Sequence, residues 1–236
     1  MNIILLESDD WMDDGTVRLT DRRLQHLTKV LKSQPGDSLK VGVMDGNRGR
    51  GEVLSVDDHE AYLQVTLNQT PPHRHPCDIA VALPRPKMLR RVLRTAAEMG
   101  VTDLHLIHSA RVEKSFWQSP LLTPDKIKTS LCAGLERSGD TRLPCVHMHQ
   151  RFRPFVEDEL PSLMAGRPCW LAHPGATINL AAQRGAGIIM LGPEGGFIPF
   201  EVELAQSIGA LPVNLGERTL SVDTAVTVAL SQSMNA

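Results

Sequence analysis

Three short segments in the last third of the chain bring together the residue types that a binding site needs. Each follows an apolar run of strand length. They are Leu171-Ala172-His173-Pro174, Leu191-Gly192-Pro193-Glu194-Gly195-Gly196 and Leu215-Gly216-Glu217-Arg218-Thr219-Leu220. Glycine lets a ligand lie close against the backbone, and open α/β sheets bind ligands at the carboxyl ends of their strands. A glycine-rich loop alone is equally an ordinary tight turn, and His173 alone reads as a hydrogen-bonded structural residue. Three loops of this kind, however, can converge on one pocket. The dinucleotide fingerprint G-x-G-x-x-G and the phosphate loop G-x-x-x-x-G-K-[ST] are absent, so phosphate cradling is not expected.

The loops need a sheet to hold them, and the second part of the chain supplies the pattern for one. Strands are predicted at 78–83, 104–107, near Val146, 169–172, 187–191 and 211–215. Helices are predicted at 86–99, 124–138, about 155–164, 199–208 and from Ser221 onward. Strand and helix in alternation mean an α/β domain with a mostly parallel sheet.

The first part reads differently. Leu24, Leu27, Val30 and Leu31 recur at helical spacing within 20–32, with Thr20 as the expected N-cap and Arg22, His26 and Lys29 on another face. Short apolar runs at 39–44, 51–56 and 62–67, broken by turn residues, then predict a small β-barrel or sheet carrying that helix. Pro71, Pro72 and Pro76 each lack an amide donor, which places a boundary between a domain at 1–70 and another at 71–236.

Composition limits the partners. The net charge of −2 argues against nucleic-acid coating by overall charge, so any such surface must be local. One candidate is Lys87, Arg90, Arg91 and Arg94, which lie off the apolar face of Leu89, Val92, Leu93 and Ala96, with no acidic residue between Ile79 and Ala97. Arg22, Arg23, Lys29 and Lys32 form the other. Cys77, Cys132, Cys145 and Cys169 are scattered, with no C-x-x-C pair and no zinc-site spacing, as in free cytosolic thiols. The acidic start of the chain lacks a signal peptide's basic region, and no apolar run reaches membrane-span length, so a soluble, cytoplasmic protein without bound metal is expected.

The order H-P, G-P-E-G-G, L-G-x-R-x-L and T-A resembles the RsmE family, bacterial 16S ribosomal RNA uridine-N3 methyltransferases of the SPOUT superfamily. The resemblance runs nearly the whole chain. His26 with Val30-Leu31-Lys32 and Pro35-Gly36-Asp37 match the family's N-terminal elements, and Lys87, Glu98-Met99-Gly100-Val101, Ser109-Ala110-Arg111, Glu136, and Arg142 with Pro144 match later ones. It implies a PUA-like RNA-binding barrel followed by an α/β domain tied in a deep trefoil knot, acting as a homodimer on ribosomal RNA or the small subunit. It also implies that Leu171, His173, Pro174, Leu191, Gly192, Pro193, Glu194, Gly195, Gly196, Leu215, Gly216, Leu220 and Ser221 hold S-adenosylmethionine.

Uridine N3 must lose its proton before or during attack, and in a paired base that edge is occupied, so the target must be unpaired or flipped out. Rate then comes from positioning and from stabilising negative charge on the base. Arg218 and Arg142 are the candidates for that charge, and Glu194 and Asp223 for the proton. RNA contacts are expected from the two basic helices, together with His26 and Arg111.

Where the family shows L-R-T-E-T-A, this chain has Leu220-Ser221-Val222-Asp223-Thr224-Ala225. Where the family shows E-Q-x-x-R, Asp140 replaces the cation, and Thr95 stands in place of a lysine. A methyltransferase for another RNA nucleotide and an inactive cofactor- and RNA-binding relative are the alternative readings.

Overall fold

In a computed structural model the described residues are 2–12 and 15–234. The chain divides into two compact units, Met1–His73 with Cys132–Leu143, and Arg74–Leu131 with Pro144–Ala236.

The N-terminal unit is a five-stranded sheet of order β1-β3-β4-β5-β2. Its elements are β1 (Ile4–Leu6), β2 (Thr16–Leu19), α1 (Arg22–Gln25), β3 (Ser38–Val43), β4 (Arg48–Val56) and β5 (Ala61–Gln69). Sequence reading found the last three strands but not the first two. β1 runs parallel to β3, and β2 antiparallel to β5. Leu6, Val17, Leu19, Leu27, Val41 and Leu63 fill the core.

Asp21, not Thr20, caps α1, its carboxylate accepting from the Arg23 amide at 2.8 Å. The helix continues as a π-turn over His26–Leu31 and ends on Lys32 in the left-handed region, φ 52°. Leu24 and Leu27 are buried as expected, while Val30 and Leu31 are 65% and 46% exposed. π-winding takes more residues per turn than the 3.6-residue spacing assumes, so the last two apolar positions leave the core-facing stripe.

Residues 132–143 pack with this unit although they follow it at a distance in the chain. The Asn2 amide donates to Glu136 O at 2.6 Å, and the Leu143 amide donates to the Asp45 carboxylate at 2.8 Å. Sequence pattern carries no trace of such distant pairings.

The C-terminal unit is a fully parallel six-stranded sheet of order β11-β9-β10-β6-β7-β8. In chain order its elements are β6 (Asp78–Ala82), α2 (Pro86–Glu98), β7 (Asp103–Ile107), α3 (Pro124–Ser138, whose end belongs to the other unit), β8 (Cys145–His149), α4 (Phe152–Pro154), α5 (Leu160–Met164), β9 (Cys169–Ala172), β10 (Ile188–Leu191), α6 (Pro199–Ser207), β11 (Leu211–Val213) and α7 (Val222–Ser233). The central strands β6 and β10 are buried along their whole length, and buried parallel strands read as unbroken apolar runs. Pro86 opens α2 at a position that needs no amide donor, and Leu89, Val92, Leu93 and Ala96 are buried as the spacing predicts. The expected helix at 155–164 is instead α4, a π-turn over Phe155–Glu159, and α5.

Candidate active site

The strands β11, β9 and β10 are neighbours in the sheet, so their carboxyl ends lie side by side. Because β9 sits between the other two, the three loops picked out in the sequence meet above one edge. A pocket of about 150 Å³ opens there, lined from all three. His173 and Pro174 come from the first loop, Gly192, Pro193, Glu194 and Gly196 from the second, and Leu215 to Leu220 from the third. Val222 and Ala225 of α7 close one side.

Each loop is fixed by its own hydrogen bonds. In the second, the Gly196 amide donates to Pro193 O at 2.7 Å, a tight turn completed by Gly196 at φ 73°. A side chain is strained in that left-handed conformation. The first and third loops are joined through Asn214, whose side chain donates to Ala176 O at 3.0 Å and accepts from the Gly216 amide at 3.1 Å. The His173 amide donates to Val213 O at 2.8 Å. His173 Nδ1 accepts from the Gly175 amide at 3.1 Å, so in the neutral ring the proton sits on Nε2.

Of the expected cofactor residues, Leu171, Gly195 and Ser221 do not line the pocket. Leu171 is buried in β9. Gly195 lies against Arg111: a Cβ there would meet Arg111 Cδ at 2.9 Å, and the guanidinium donates to Gly195 O. Ser221 is the N-cap residue of α7 and donates to Asp223 at 2.7 Å. Ala172, Glu217, Thr219, Val222 and Ala225 also line the pocket; the sequence did not mark them as ligand residues, though all five fall inside the segments quoted above.

Among the proposed catalytic groups, Glu194 and Arg218 are exposed and line the pocket. Asp223 does not line it. It accepts from Ser221 and, at 3.0 Å, from Arg91, and the Ser221 hydroxyl first and the Arg91 guanidinium next hold its carboxyl below the usual range. It is therefore a weakened base. Arg142 belongs with the other unit, where its amide donates to Asp140 at 3.2 Å.

The two basic helices divide into exposed and engaged residues. Lys29, Lys32, Lys87 and Arg90 are exposed, and His26 is half-buried. Arg91 bridges to Asp223, Arg94 is half-buried with a buried Nε, and Arg111 holds Gly195. Arg22 pairs with the buried Glu136. Arg23, expected on an RNA-facing surface, is 8% exposed and is gripped by Asp10 at 2.5 and 2.6 Å, by Asp21 and by Leu5 O. Its carboxylate neighbours decide this, because a buried guanidinium must be paired.

Sequence reading also missed Glu201, a buried carboxylate on α6 that accepts from the loops after β7 and β10. No group of three or more His, Cys, Asp or Glu side chains placed to hold a metal occurs among the described residues. The four cysteines are free thiols, and no described helix is long and apolar enough to cross a membrane.

Comparison with known proteins places these features. Residues 71–234 match the RNA methyltransferase domain family, and residues 19–66 match the RNA methyltransferase PUA domain family. The ribosomal RNA small subunit methyltransferase E of Synechocystis is 32% identical over 97% of this chain and 76% of its own length. That of Treponema pallidum is 29% identical over 97% of this chain and 89% of its own length. Among solved structures, a ribosomal RNA small subunit methyltransferase E from Neisseria gonorrhoeae bound to S-adenosyl methionine aligns with TM-score 0.76 at 22% identity, covering 98% of this chain and 95% of that one.

Proposed function

The chain belongs to the RNA methyltransferase family that includes the ribosomal RNA small subunit methyltransferase E proteins, and we propose that it methylates N3 of a uridine in 16S ribosomal RNA, using S-adenosylmethionine. The observation that carries this reading is the convergence of three glycine- and leucine-bearing loops on one pocket at the ends of adjacent parallel strands.

The pocket's residues fit that cofactor. Leu191, Leu215, Leu220 and Val222 offer apolar surface to an adenine, the turns at Gly196 and Gly216 leave backbone groups open to it, and Glu194 and Glu217 suit a cationic sulfonium. When bound, the cofactor supplies an electrophilic methyl group. The protein's part is to hold the base and manage its charge. Arg218 stabilises the negative charge that develops on the uracil as N3 gives up its proton. Glu194, the exposed carboxylate of the second loop, accepts that proton, while Asp223 anchors Arg91.

The trefoil knot, the homodimer, the cytoplasmic location and the boundary at residue 70 belong to the same proposal. The PUA match at residues 19–66 supports an RNA-binding role for the N-terminal unit, and the free thiols suit a reducing compartment. Sedimentation at micromolar concentration tests the dimer, which a fully active monomer would refute.

The deciding experiment incubates the purified protein with S-adenosylmethionine and small ribosomal subunits from a strain lacking this gene, then maps modified nucleosides by mass spectrometry. New 3-methyluridine in 16S RNA is the expected result. Another methylated nucleoside would move the reaction to a different target, in keeping with Ser221 and Asp140. No methylation, with cofactor still bound, would leave a binding protein.

A further inference from the structure

The sheet of the N-terminal unit carries a row of cations that the pocket does not use. Antiparallel register puts Lys40 of β3 directly opposite Arg50 of β4, and Gly42 opposite Arg48. Residues two apart on a strand share a face, so the three cations stand together, while Val41, Gly49, Gly51 and Val53 are buried on the other side. Like charges directly opposite each other destabilise an antiparallel pair. Lys40 and Arg50 are both exposed, and neither is hydrogen-bonded or ion-paired to another described residue. An anion brought to this face would offset that repulsion.

Two hollows flank the row and share Gln69. The first, about 310 Å³, is lined by Lys40, Arg48 and Arg137 with backbone and amide groups around them. The second, about 480 Å³, holds Arg50 beside Ser38, Gln64 and Thr66. Glu52 in the second is the single carboxylate lining either, against four cations. Arg48 is held in place, its guanidinium donating to Gly139 O at 2.9 Å and Thr70 O at 3.3 Å.

We propose that this sheet face is a binding site for the phosphodiester backbone of RNA, with Lys40 and Arg50 each taking a phosphate and the neighbouring hydroxyl and amide groups contacting the ribose. The proposal rests on the reading of the chain as an RNA methyltransferase. It moves the grip of the N-terminal unit from the helix to the sheet, since Arg22 and Arg23 are already in ion pairs. A backbone site of this kind positions RNA without reading its sequence.

The test compares the full-length protein with Lys40→Gln/Arg50→Gln, both surface changes, and with Arg153→Gln/Arg184→Gln, which removes the same charge from the other unit. Binding to small ribosomal subunits is titrated against salt. Each lost phosphate contact removes about 0.7 to 0.9 from the log–log salt slope, so the sheet variant should lose roughly 1.5 units and bind roughly thirtyfold more weakly at 0.1 M salt. The control pair should match wild type, and cofactor affinity should be unchanged in all three proteins. Equal affinity and slope for wild type and sheet variant would overturn the proposal while leaving the methyltransferase reading intact. A proportionate loss in the control pair would overturn it too, assigning the effect to net charge. If wild type bound no RNA, both readings would fall.

Discussion

The buried carboxylate of Glu201 accepts a hydrogen bond from the backbone amide of Ala110 at 2.7 Å, across 91 residues of sequence. It also accepts from Ser109 Oγ at 3.2 Å and from the Ile198 amide at 3.0 Å. One side chain thus ties the loop after β7 to the end of the glycine loop after β10. Glu201→Ala leaves two part-buried backbone donors and the buried Ser109 hydroxyl without their acceptor, at about 1 to 3 kcal/mol for the buried hydroxyl and less where water reaches the amides. Cofactor affinity, read by calorimetry, should fall at least about tenfold while far-ultraviolet circular dichroism is retained. Glu201→Gln keeps one acceptor oxygen and should fall between. A folded alanine variant with unchanged affinity would show that the loop holds its shape without this brace.

Gly195 faces Arg111, so a substitution there acts on the protein first. A Cβ at 2.9 Å from Arg111 Cδ forces that side chain to move, and the hydrogen bond from its guanidinium to Gly195 O goes with it. Gly195→Val should therefore weaken cofactor binding through a displaced loop, and Arg111→Ala should reproduce much of the loss. Shortening Arg111 should also relieve the clash, making the double variant milder than the sum of the two. Additive effects would mean that the valine disturbs the pocket by another route.

The contrast between the pocket and its supports explains what the sequence made visible. Strands such as β9, predicted at 169–172 and found there, are short apolar runs that end in recognisable loop residues, so both strand and loop could be read locally. Glu201 and Asn214 carry no such sign, because their importance lies in partners far away in sequence. The same blindness misread Arg22 and Arg23. A basic helix face looks solvent-facing until Glu136, 114 positions on, and Asp10 are seen to neutralise it. The cations of the N-terminal sheet were overlooked for the converse reason, since Lys40 and Arg50 become neighbours only through strand register.

Arg23 and Asp10 form a buried ion pair, 8% exposed on each side, and the two guanidinium contacts are 2.5 and 2.6 Å long. Removing one partner strands the other charge away from water, which costs about 3 to 5 kcal/mol. Arg23→Ala should lower the denaturant midpoint of the N-terminal unit accordingly. The double variant Arg23→Met/Asp10→Leu should recover most of that loss, because no unpaired charge remains. A single variant as stable as wild type would mean that water reaches the site.

His105 gives the protein an acid limit. It is 2% exposed in β7 and stacks with both His147 and His149 of β8, with its Nδ1 3.1 Å from His149 Nε2. Burial first, and then the two neighbouring imidazoles, push its pKa from 6.5 down to about 4, against an opposing pull from Asp103. Between those values the unfolded chain takes up a proton that the folded protein refuses, so stability falls as pH falls. The full difference is on the order of 3 kcal/mol, reached near the folded value and absent above the unfolded one. Urea titrations at pH 7.5 and pH 4.5 should show this dependence in wild type. His105→Gln keeps a polar side chain but cannot titrate, so its loss of stability over the same interval should be smaller by about 2 to 3 kcal/mol. If both proteins lost stability equally over this interval, the acid sensitivity would lie elsewhere than His105.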